Sequence, residues 1–344
     1  LSNGRGQTIA IESVAKPAVG DSDGPNGFKN QYQEAVGGSR WAGPTHPYGE
    51  RVDDPDLGAG YSVSGFPSYG VLASSFNKEL AAEVGNQLGE EGLWAGWAGW
   101  YGTGLNILRT NYVGRTSEYY SEDAILTGLI AAPQVKEVES KGVHAYIKHF
   151  ALNESETARH GCAQWITEQA LRETYLRAFE IVIEEGESFN TMTSFNRIGV
   201  VAAANSVELT NFLRNECGLP GIVLTDCSGD MTDGSHGEAY VSRFCDMALG
   251  ATTLNLYNYG AEFADYTGSD HYFTEYAPAS SGGSGEYGDF AQTMREACKR
   301  ILYSAVTSNA MCGFTDNQII VRFMPPWQVA MITADVVVGV LLAA

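Results

Sequence analysis

The stretch SVELTNFLRNECGLPGIVLTD (residues 206–226) decides the fold of this chain, because it contains a helix and a strand in immediate succession. Ser206 stands before an apolar-periodic segment that ends at Gly218, and this pattern predicts a capped helix. Gly221 then opens the apolar run IVL, which is typical of a buried strand, and the strand ends at Asp226. Such an acid is either a turn-forming cap or a side chain held at the mouth of a site.

The same alternation of helix and strand recurs along the chain from about residue 70. Predicted helices cover 74–93, 124–142, 167–186, 206–218, 238–250 and 287–311, and predicted strands cover 104–108, 143–150, 189–196, 221–226 and 252–258. Repeated units of this kind favour an α/β fold with a parallel sheet and helical crossovers. Their number favours a slightly irregular TIM-like (β/α)8 barrel. The barrel is expected over residues 1–313, with a long polar loop near 257–287, and a C-terminal extension over 314–344.

The charge of the chain disfavours some classes of partner. Of the 344 residues, 21 are basic and 41 are acidic, which gives a formal net charge of −20 at pH 7. An acidic surface repels phosphate backbones, so we expect no nucleic acid partner. A neutral ligand such as a sugar is not penalised by this charge.

The cysteines indicate neither a zinc site nor a disulfide framework. They lie far apart, without a CxxC pair or a Cys/His ligand spacing, and a chain of this size rarely depends on disulfides. We therefore predict reduced, mostly buried thiols and no zinc site. The six residues are Cys162, Cys217, Cys227, Cys245, Cys298 and Cys312.

Both ends of the chain are unusual. The opening LSNGRGQTIAIESV lacks a secretory signal pattern, and the chain is expected to begin inside a protein. The closing run from Val329 to Ala344 is apolar except for Asp335, and it is shorter than the ~20 residues of a spanning helix. It is either the first part of a membrane helix, which Trp327 would suit, or a packed terminal helix.

Charged and polar side chains follow successive predicted strands, at the end where barrels of this type form their sites. Each has a structural alternative: Arg115 could pair with Glu118 or Glu122, Lys148–His149 could be a core dyad, and Asp23 in DGP could form a turn. The recurrence at one end favours function, because charges are costly to bury without a partner. The residues are Asp23, Arg109, Arg115, Glu118, Glu122, Asp123, Lys148, His149, Asn153, Glu156, Arg159, Phe195, Asn196, Arg197 and Asp226.

The ordered set of motifs resembles the barrel domain of the family 3 glycoside hydrolases, typified by β-glucosidases. The matching pieces are DGPNG, LASSFNKELAAEVGNQLGEE, NILRTNYVGRTSEYYSED, SKGVHAYIKHFALNESETARHG, MTSFNRIG, LTNFLRNECGLPGIVLTD and MREACKRILYSAVTSNAM. They span nearly the whole chain in the order of the family. The combination of KHF…N…ET…R with GIVLTD is specific, whereas no single fragment would be convincing.

The resemblance implies a role for eight residues. Asp226 matches the catalytic nucleophile, and Asp23 matches the acid that binds sugar hydroxyls in the −1 subsite. Four further residues match those that hold the same sugar and keep the nucleophile ionised, and Met192 and Phe195 fall on positions that line the pocket. Cations do favour an ionised carboxylate, and these side chains supply the directional hydrogen bonds that a sugar needs. The four are Arg115, Lys148, His149 and Arg159.

The chain departs from the family pattern at three positions beside these residues. Phe195 stands where many members have Tyr, so a hydroxyl that could touch the nucleophile is absent. Cys227 stands where Trp is common, and Lys29 where many members have Arg. These differences bear on which sugar is bound more than on the reaction.

The second carboxylate of a retaining glycosidase is not evident in the sequence. In β-glucosidases of the family, the acid/base Glu usually comes from an α/β sandwich domain, and the branch acting on N-acetylglucosaminides uses an Asp-x-His pair in the loop after KHF. Here that loop reads ALNESETARHGC, without Asp-x-His. A missing sandwich domain or a second chain is therefore the expected source. The apolar tail after PPW resembles permuted, membrane-associated members, which suits an extracellular or membrane-anchored location.

The resemblance thus implies a retaining exo-β-glycosidase, with β-glucosidase as the preferred activity and a β-linked oligosaccharide or glycoside as substrate. This chemistry is expected to need no metal or organic cofactor. The alternative is a catalytically impaired carbohydrate-binding or assembly protein that keeps the barrel. A phosphate-binding metabolic barrel is less favoured, because no Gly-rich phosphate loop follows the late predicted strands.

Overall fold

The fold is organised around a sheet of mostly parallel strands that carry helices on one face. The computed structural model describes residues 7–8, 19–28, 64–159, 162–227, 247–249, 286–311, 331 and 333. The strands are β1 Gln7–Thr8, β2 Val19–Asp23, β3 Gly99–Tyr101, β4 His144–Phe150, β5 Ala163–Gln164, β6 Asn190–Thr193, β7 Arg197–Ile198, β8 Val201–Ala202, β9 Val223–Cys227 and β10 Met247–Leu249.

Seven of these strands form one sheet in the order β1-β2-β3-β4-β6-β9-β10. All neighbours pair in parallel except β1 and β2. The sheet curls into half of a barrel, so the predicted α/β fold of the TIM-like type is confirmed. The predicted strand at 252–258 and the predicted loop near 257–287, as far as residue 285, lie outside the described residues, whereas Glu286 and Tyr287 belong to the helix Glu286–Thr307. A second, small sheet, which the sequence did not predict, contains β5, β7 and β8.

The helices alternate with the strands, as their sequence signals predict. They are α1 Tyr69–Ser74, α2 Lys78–Ala95, α3 Ala124–Ser140, α4 Glu168–Ala170, α5 Arg177–Glu184, α6 Val207–Asn211 and α7 Glu286–Thr307. Leu171–Leu176 joins α4 to α5 and Phe212–Glu216 follows α6, both as π-helical turns. Side chains of Asn77, Thr167 and Ser206 accept backbone hydrogen bonds at the starts of α2, α4 and α6.

Two predicted elements were wrong. The strand expected at 104–108 lies instead at β3, because Gly99–Tyr101 is the segment that pairs with both β2 and β4. Residues 104–108 follow as a loop that keeps one bridge, from Gly104 to Lys148. The end of the helix expected at 238–250 is β10, whose short apolar run does not distinguish a strand from a helix by periodicity.

The two faces of the sheet have different surroundings. The outer face packs against α3 and α5 in the large core, where Ile147 and Val223 are buried with Val135 and Val182. The inner face carries a smaller buried cluster of Tyr101, Tyr146, Met192, Ile222 and Leu224, called here the inner-face cluster. Because side chains alternate along a strand, every second residue beyond this cluster projects toward the inside of the curl.

The amino ends of the strands are tied to α7 and the turn after it. Asn309 donates from its side chain to the carbonyl of Trp97 (2.8 Å), and its backbone N–H donates to Gly142 (2.8 Å). Asn190 Nδ2 donates to Ser304 Oγ (3.2 Å). This end of the sheet is therefore occupied by structural contacts, which leaves the carboxyl ends for a site.

The helices α2 and α3 approach each other closely at a glycine. A Cβ atom on Gly85 would lie 2.1 Å from the carbonyl oxygen of Gln134, so the two backbones pass where no side chain fits. Gly85→Ala is expected to lower the free energy of unfolding by about 1–3 kcal/mol through overpacking. Urea unfolding measures this change. Gly65→Ala is the matched control, because no atom lies within 4 Å of its added Cβ; equal effects of the two changes would contradict the close approach.

The chain divides into two compact units, Leu1–Cys312 and Gly313–Ala344. Of the second unit only Met331 and Thr333 are described, and both are helical. The predicted domain boundary and the predicted role of the apolar tail stay predictions. Within the part of the chain that is described, no helix combines the length and the apolarity needed to cross a membrane.

Candidate active site

The carboxyl ends of three parallel strands bring predicted site residues to one end of the sheet. Asp23 ends β2, Lys148 lies near the end of β4, and Asp226 near the end of β9. Lys148 lies two residues after Tyr146, and Asp226 lies two residues after Leu224. Tyr146 and Leu224 both belong to the inner-face cluster. Strand alternation therefore directs Asp226 inward. The two strands β4 and β9 are separated in the sheet only by β6.

Lys148 and Asp23 form an ion pair across the curl of the sheet. Lys148 Nζ lies 2.9 Å from Asp23 Oδ1, and the lysine side chain is only 3% exposed. Asp23 Oδ1 also accepts from the N–H of Gly24 (2.9 Å), and the carbonyl of Gly24 accepts from Trp100 Nε1 (2.7 Å). Asp23 thus forms the turn and also pairs with Lys148, and its role in sugar binding stays a prediction.

His149 lies beside Asp226. Its Nε2 is 3.6 Å from Asp226 Oδ2, which is longer than a hydrogen bond. Burial, followed by the positive charges of Arg115, Lys148 and Arg159, holds the pKa of His149 well below its usual value. The imidazole is therefore neutral at neutral pH, and it does not balance the charge of a carboxylate.

Arg115 is the cation whose charge interacts with Asp226. Its guanidinium donates to Glu118 Oε2 (2.6 Å) and lies 3.6 Å from Glu156 Oε1. Burial, the largest single cause, would lower the pKa of Arg115, but Glu118, Tyr119 and Asp226 together raise this pKa above its usual value. Arg115 is thus both a member of a structural ion pair with Glu118 and a charge near Asp226, whereas Glu122 is exposed.

Arg159 is held by a carboxylate and an aromatic ring. Its NH1 donates to Glu156 Oε2 (2.7 Å), and its guanidinium lies over the ring of Phe195, 4.6 Å from the centroid. A cation over an aromatic face is attracted by the ring quadrupole. Glu156 also accepts from Asn153 Nδ2 (3.0 Å), so this carboxylate connects Arg159 with the loop after β4.

Other predicted candidates lie in different surroundings. Met192 is buried in the inner-face cluster. Asp123 caps α3, where its Oδ1 accepts from two backbone N–H groups at 2.7 and 3.0 Å. Arg109 is exposed near the ring of Tyr175, and the Arg197 side chain donates to a neighbouring carbonyl. These contacts do not depend on a strand end. Position after a predicted strand therefore did not distinguish these residues from the candidates that lie near Asp226.

Two buried polar residues behind His149 were missed by sequence reasoning. Asn106 lies in the loop where a strand was predicted, and Glu154 directly follows Asn153 in the loop after β4. Asn106 bonds to the backbone of His149 and to Glu154. The sequence signal that could have found them is the presence of a polar residue in each of two largely apolar segments. Their contact with each other depends on the path of two loops, which this signal does not predict.

Two of the family departures cannot be compared with the structure. Lys29 and the side chain of Cys227 lie outside the described residues. Within the described ranges, no cluster of three or more His, Cys, Asp or Glu side chains has the arrangement of a metal site.

Comparison with known proteins gives one family. The sequence profile described as the glycosyl hydrolase family 3 N terminal domain matches residues 56–253. The chain is 36% identical over 226 residues to an exo-α-(1→6)-L-arabinopyranosidase of Bifidobacterium longum, and 32% identical over 220 residues to thermostable β-glucosidase B of Acetivibrio thermocellus. These alignments cover 65% and 64% of this chain, and 28% and 27% of the relatives.

A solved structure resembles most of the chain. It is β-glucosidase 3B from Thermotoga neapolitana in complex with glucose, with a TM-score of 0.69 and 28% identity. The similarity covers 89% of this chain and 38% of that one. The chain therefore spans between about a quarter and two fifths of the length of these relatives.

Proposed function

Because this chain belongs to glycosyl hydrolase family 3, we propose that it carries the nucleophile half of a retaining exo-β-glycosidase, with β-glucosidase as the preferred activity. The observation that carries the proposal is the position of Asp226 beside His149 and near the charge of Arg115, at the carboxyl ends of the parallel strands. Asp226 projects inward from β9, His149 adjoins it, and Arg115 interacts with its charge. A carboxylate in this setting stays ionised and can act as a nucleophile.

The proposed first step forms a glycosyl ester. A carboxylate oxygen of Asp226 attacks C1 of the sugar, the bond from C1 to the leaving oxygen breaks, and an acid protonates that oxygen. In the second step, water attacks C1, the same group takes its proton, and the Asp226 carboxylate is released. Two displacements at C1 retain the configuration of the sugar.

Sugar binding is assigned to the charged side chains around Asp226. Asp23 accepts hydrogen bonds from hydroxyls, while Lys148 and Arg159 donate to them, and all three are already oriented by pairs within the site. Phe195 supplies the ring that orients Arg159. Preorganised partners of this kind reduce the entropy cost of holding a polar ligand. Met192 is assigned to the base of the pocket.

The acid/base is assigned to a carboxylate outside the described residues, carried by an α/β sandwich domain or by a second chain. Support comes from the carboxylates of the site that are described. Asp23 pairs with Lys148, Glu118 with Arg115, and Glu156 with Arg159. Each of these carboxylates already binds a cation of the site, which favours a role in holding the site over a role as the acid/base.

The alternative of a carbohydrate-binding protein without turnover rests on the same three ion pairs. It explains the paired carboxylates, but it gives no role to the inward position of Asp226. Two sugars are relevant to the choice of substrate, because one relative is named a β-glucosidase and another an α-L-arabinopyranosidase. The L-arabinopyranoside lacks the hydroxymethyl group of glucose and has the opposite configuration at C4, so the two substrates together test the space around C4 and C5.

The proposed function predicts the configuration of the first product. The full-length protein is given an aryl β-glucoside with a good leaving group, and the released sugar is observed by proton NMR before mutarotation. We expect β-glucose to appear first, because two inversions at C1 retain configuration. An aryl α-L-arabinopyranoside is the parallel substrate. Initial release of α-glucose, or binding of both glycosides without release of the aryl group, would overturn the proposal.

A further inference from the structure

Glu154 is a buried acid that the proposed chemistry does not use. It follows the end of β4 by four residues and is almost completely inaccessible to solvent. One oxygen, Oε1, accepts from Asn106 Nδ2 (3.2 Å) and from the backbone N–H of Ile107 (3.2 Å). A buried carboxyl with two such donors on one oxygen holds the segment that supplies them.

Asn106 in turn holds the backbone of His149 on both sides. Its Oδ1 accepts from the His149 N–H (2.8 Å), and its Nδ2 donates to the His149 carbonyl (3.1 Å). The same loop also bonds to Lys148, whose carbonyl accepts from the N–H of Leu105 (2.7 Å). The side chain of Asn106 therefore acts as an added peptide group that pairs with His149 as a neighbouring strand would.

The imidazole of His149 has little else to orient it. A functional histidine is commonly fixed by a hydrogen bond at the nitrogen that does not face the reaction. In the described part of the chain, His149 Nδ1 is buried without a hydrogen-bond partner. The orientation of the imidazole toward Asp226 is then set by packing and by the position of the His149 backbone, to which Asn106 is hydrogen-bonded.

We propose that Glu154, acting through Asn106, is a positioning residue that fixes the backbone of His149 and so the approach of its imidazole to Asp226. This role rests on the proposed function, since it concerns the same site. Glu154 is not the missing acid/base, because its carboxyl is enclosed behind the His149 backbone and is bonded to Asn106 and Ile107. A leaving oxygen in the sugar site would need an acid that it can touch.

The strength with which Glu154 holds Asn106 and Ile107, called here the grip of Glu154, is expected to depend on pH. Burial raises the pKa of Glu154 to about 7, although hydrogen bonds from Ile107 and Asn106 and the charge of Arg109 oppose this shift. The other titratable groups that interact with it are Tyr119 and Tyr175, whose pKa values are raised by burial, so both are neutral near pH 7. Ionised Glu154 accepts stronger hydrogen bonds than the protonated acid, so the grip tightens above about pH 7.

The substitution that tests this role is Glu154→Gln. Glutamine keeps the shape and an acceptor oxygen but cannot ionise, and the wild-type acid is itself neutral at low pH, so the variant folds. Relative to Glu154→Gln, the wild type should lose stability as pH rises from about 5 to about 7, because its folded state keeps a proton that the unfolded chain releases. The Tm difference between the two proteins over this range measures the effect, and Glu79→Gln on the exposed start of α2 is the control.

Nitrogen-15 NMR of the His149 imidazole tests the link to the site without requiring turnover. The chain contains six histidines, so a His149→Gln variant assigns the resonances. His149 itself does not titrate near pH 7, since its pKa is well below the usual value. We expect its resonances to move with a midpoint near pH 7 in the wild type and in Glu79→Gln, and to be static in Glu154→Gln. A transition that persists in Glu154→Gln, or its absence from the wild type, would overturn the inference.

The kinetic arm compares glycoside cleavage by the wild type and Glu154→Gln. The ratio of their kcat values should rise from near 1 at about pH 5.5 to about fivefold at about pH 8, with KM unchanged, because only the charged clamp differs. The ratio should be the same for aryl glucosides with good and poor leaving groups. A loss confined to poor leaving groups would mark Glu154 as the acid and overturn the positioning role. If the wild type cleaves neither glycoside, the proposed function fails, and the NMR result alone decides the role of Glu154.

Discussion

Asp226→Asn is expected to lower kcat for an aryl β-glucoside by about three orders of magnitude or more, because the amide cannot attack C1. The change is nearly isosteric, and Asp226 stands at the end of β9 rather than inside the large core. The folded structure should therefore persist, with a Tm close to that of the wild type. The measurement is the steady-state rate of aryl release at matched protein concentration.

The control for this substitution is Asp123→Asn. Asp123 caps α3 through its side-chain oxygen, and Asn is an equally good cap, so activity and stability should both stay near wild type. An Asp226→Gly variant adds a second test, since azide can enter the vacated space and attack C1 of an activated β-glucoside. We expect an α-glycosyl azide as product. Full activity of Asp226→Asn would show that another group is the nucleophile.

Asp23→Asn is expected to destabilise the fold by about 3 kcal/mol, because it leaves the ammonium of Lys148 buried without its carboxylate. The lysine side chain is 3% exposed and Asp23 is 21% exposed, so the lysine bears most of the desolvation. Lys148→Met should cost less, about 1 kcal/mol, since it removes the buried charge and retains an apolar chain of similar length. Urea unfolding gives both values.

The double variant Asp23→Asn with Lys148→Met completes a mutant cycle. Its cost should fall well below the sum of the single changes, since the two groups interact directly. Glu90→Gln is the surface control: its pair with Lys141 is half-exposed, and such pairs contribute about 0–1 kcal/mol. Additive costs in the cycle, or an Asp23→Asn effect as small as that of Glu90→Gln, would contradict a buried ion pair. Glycoside binding should be lost in both single variants.

The parts of the fold that could be predicted from the sequence are those with local signals. Ser206 caps a helix at the residue where the pattern predicts a start, and the strand predicted at 143–150 lies at His144–Phe150. The strand at Gly99–Tyr101 was missed because GWY is too short to show a period. Its place is decided by pairing with β2 and β4, which local sequence does not encode.

The candidate site also has features that could be predicted from the sequence and features that could not. Asp23, Lys148 and Asp226 could be predicted to meet because parallel strands bring their carboxyl ends to one edge. The contact of Arg159 with Phe195 and the contact of Asn106 with the His149 backbone could not, because each depends on the path of a loop that local sequence does not encode. The capping role of Asp123 was missed for a related reason. An acid after an expected strand and an acid before a helix look alike when the strand is misplaced.

The central claim is that Asp226 forms a covalent bond with the sugar. The most direct measurement is to treat the full-length protein with an activated 2-deoxy-2-fluoro-β-glucoside, which slows release of the intermediate, and to locate the added mass by peptide mapping. We predict one adduct, on the carboxylate of Asp226, and none in Asp226→Asn. An adduct on another carboxylate, or turnover of aryl glucosides without any adduct on Asp226, would contradict the account.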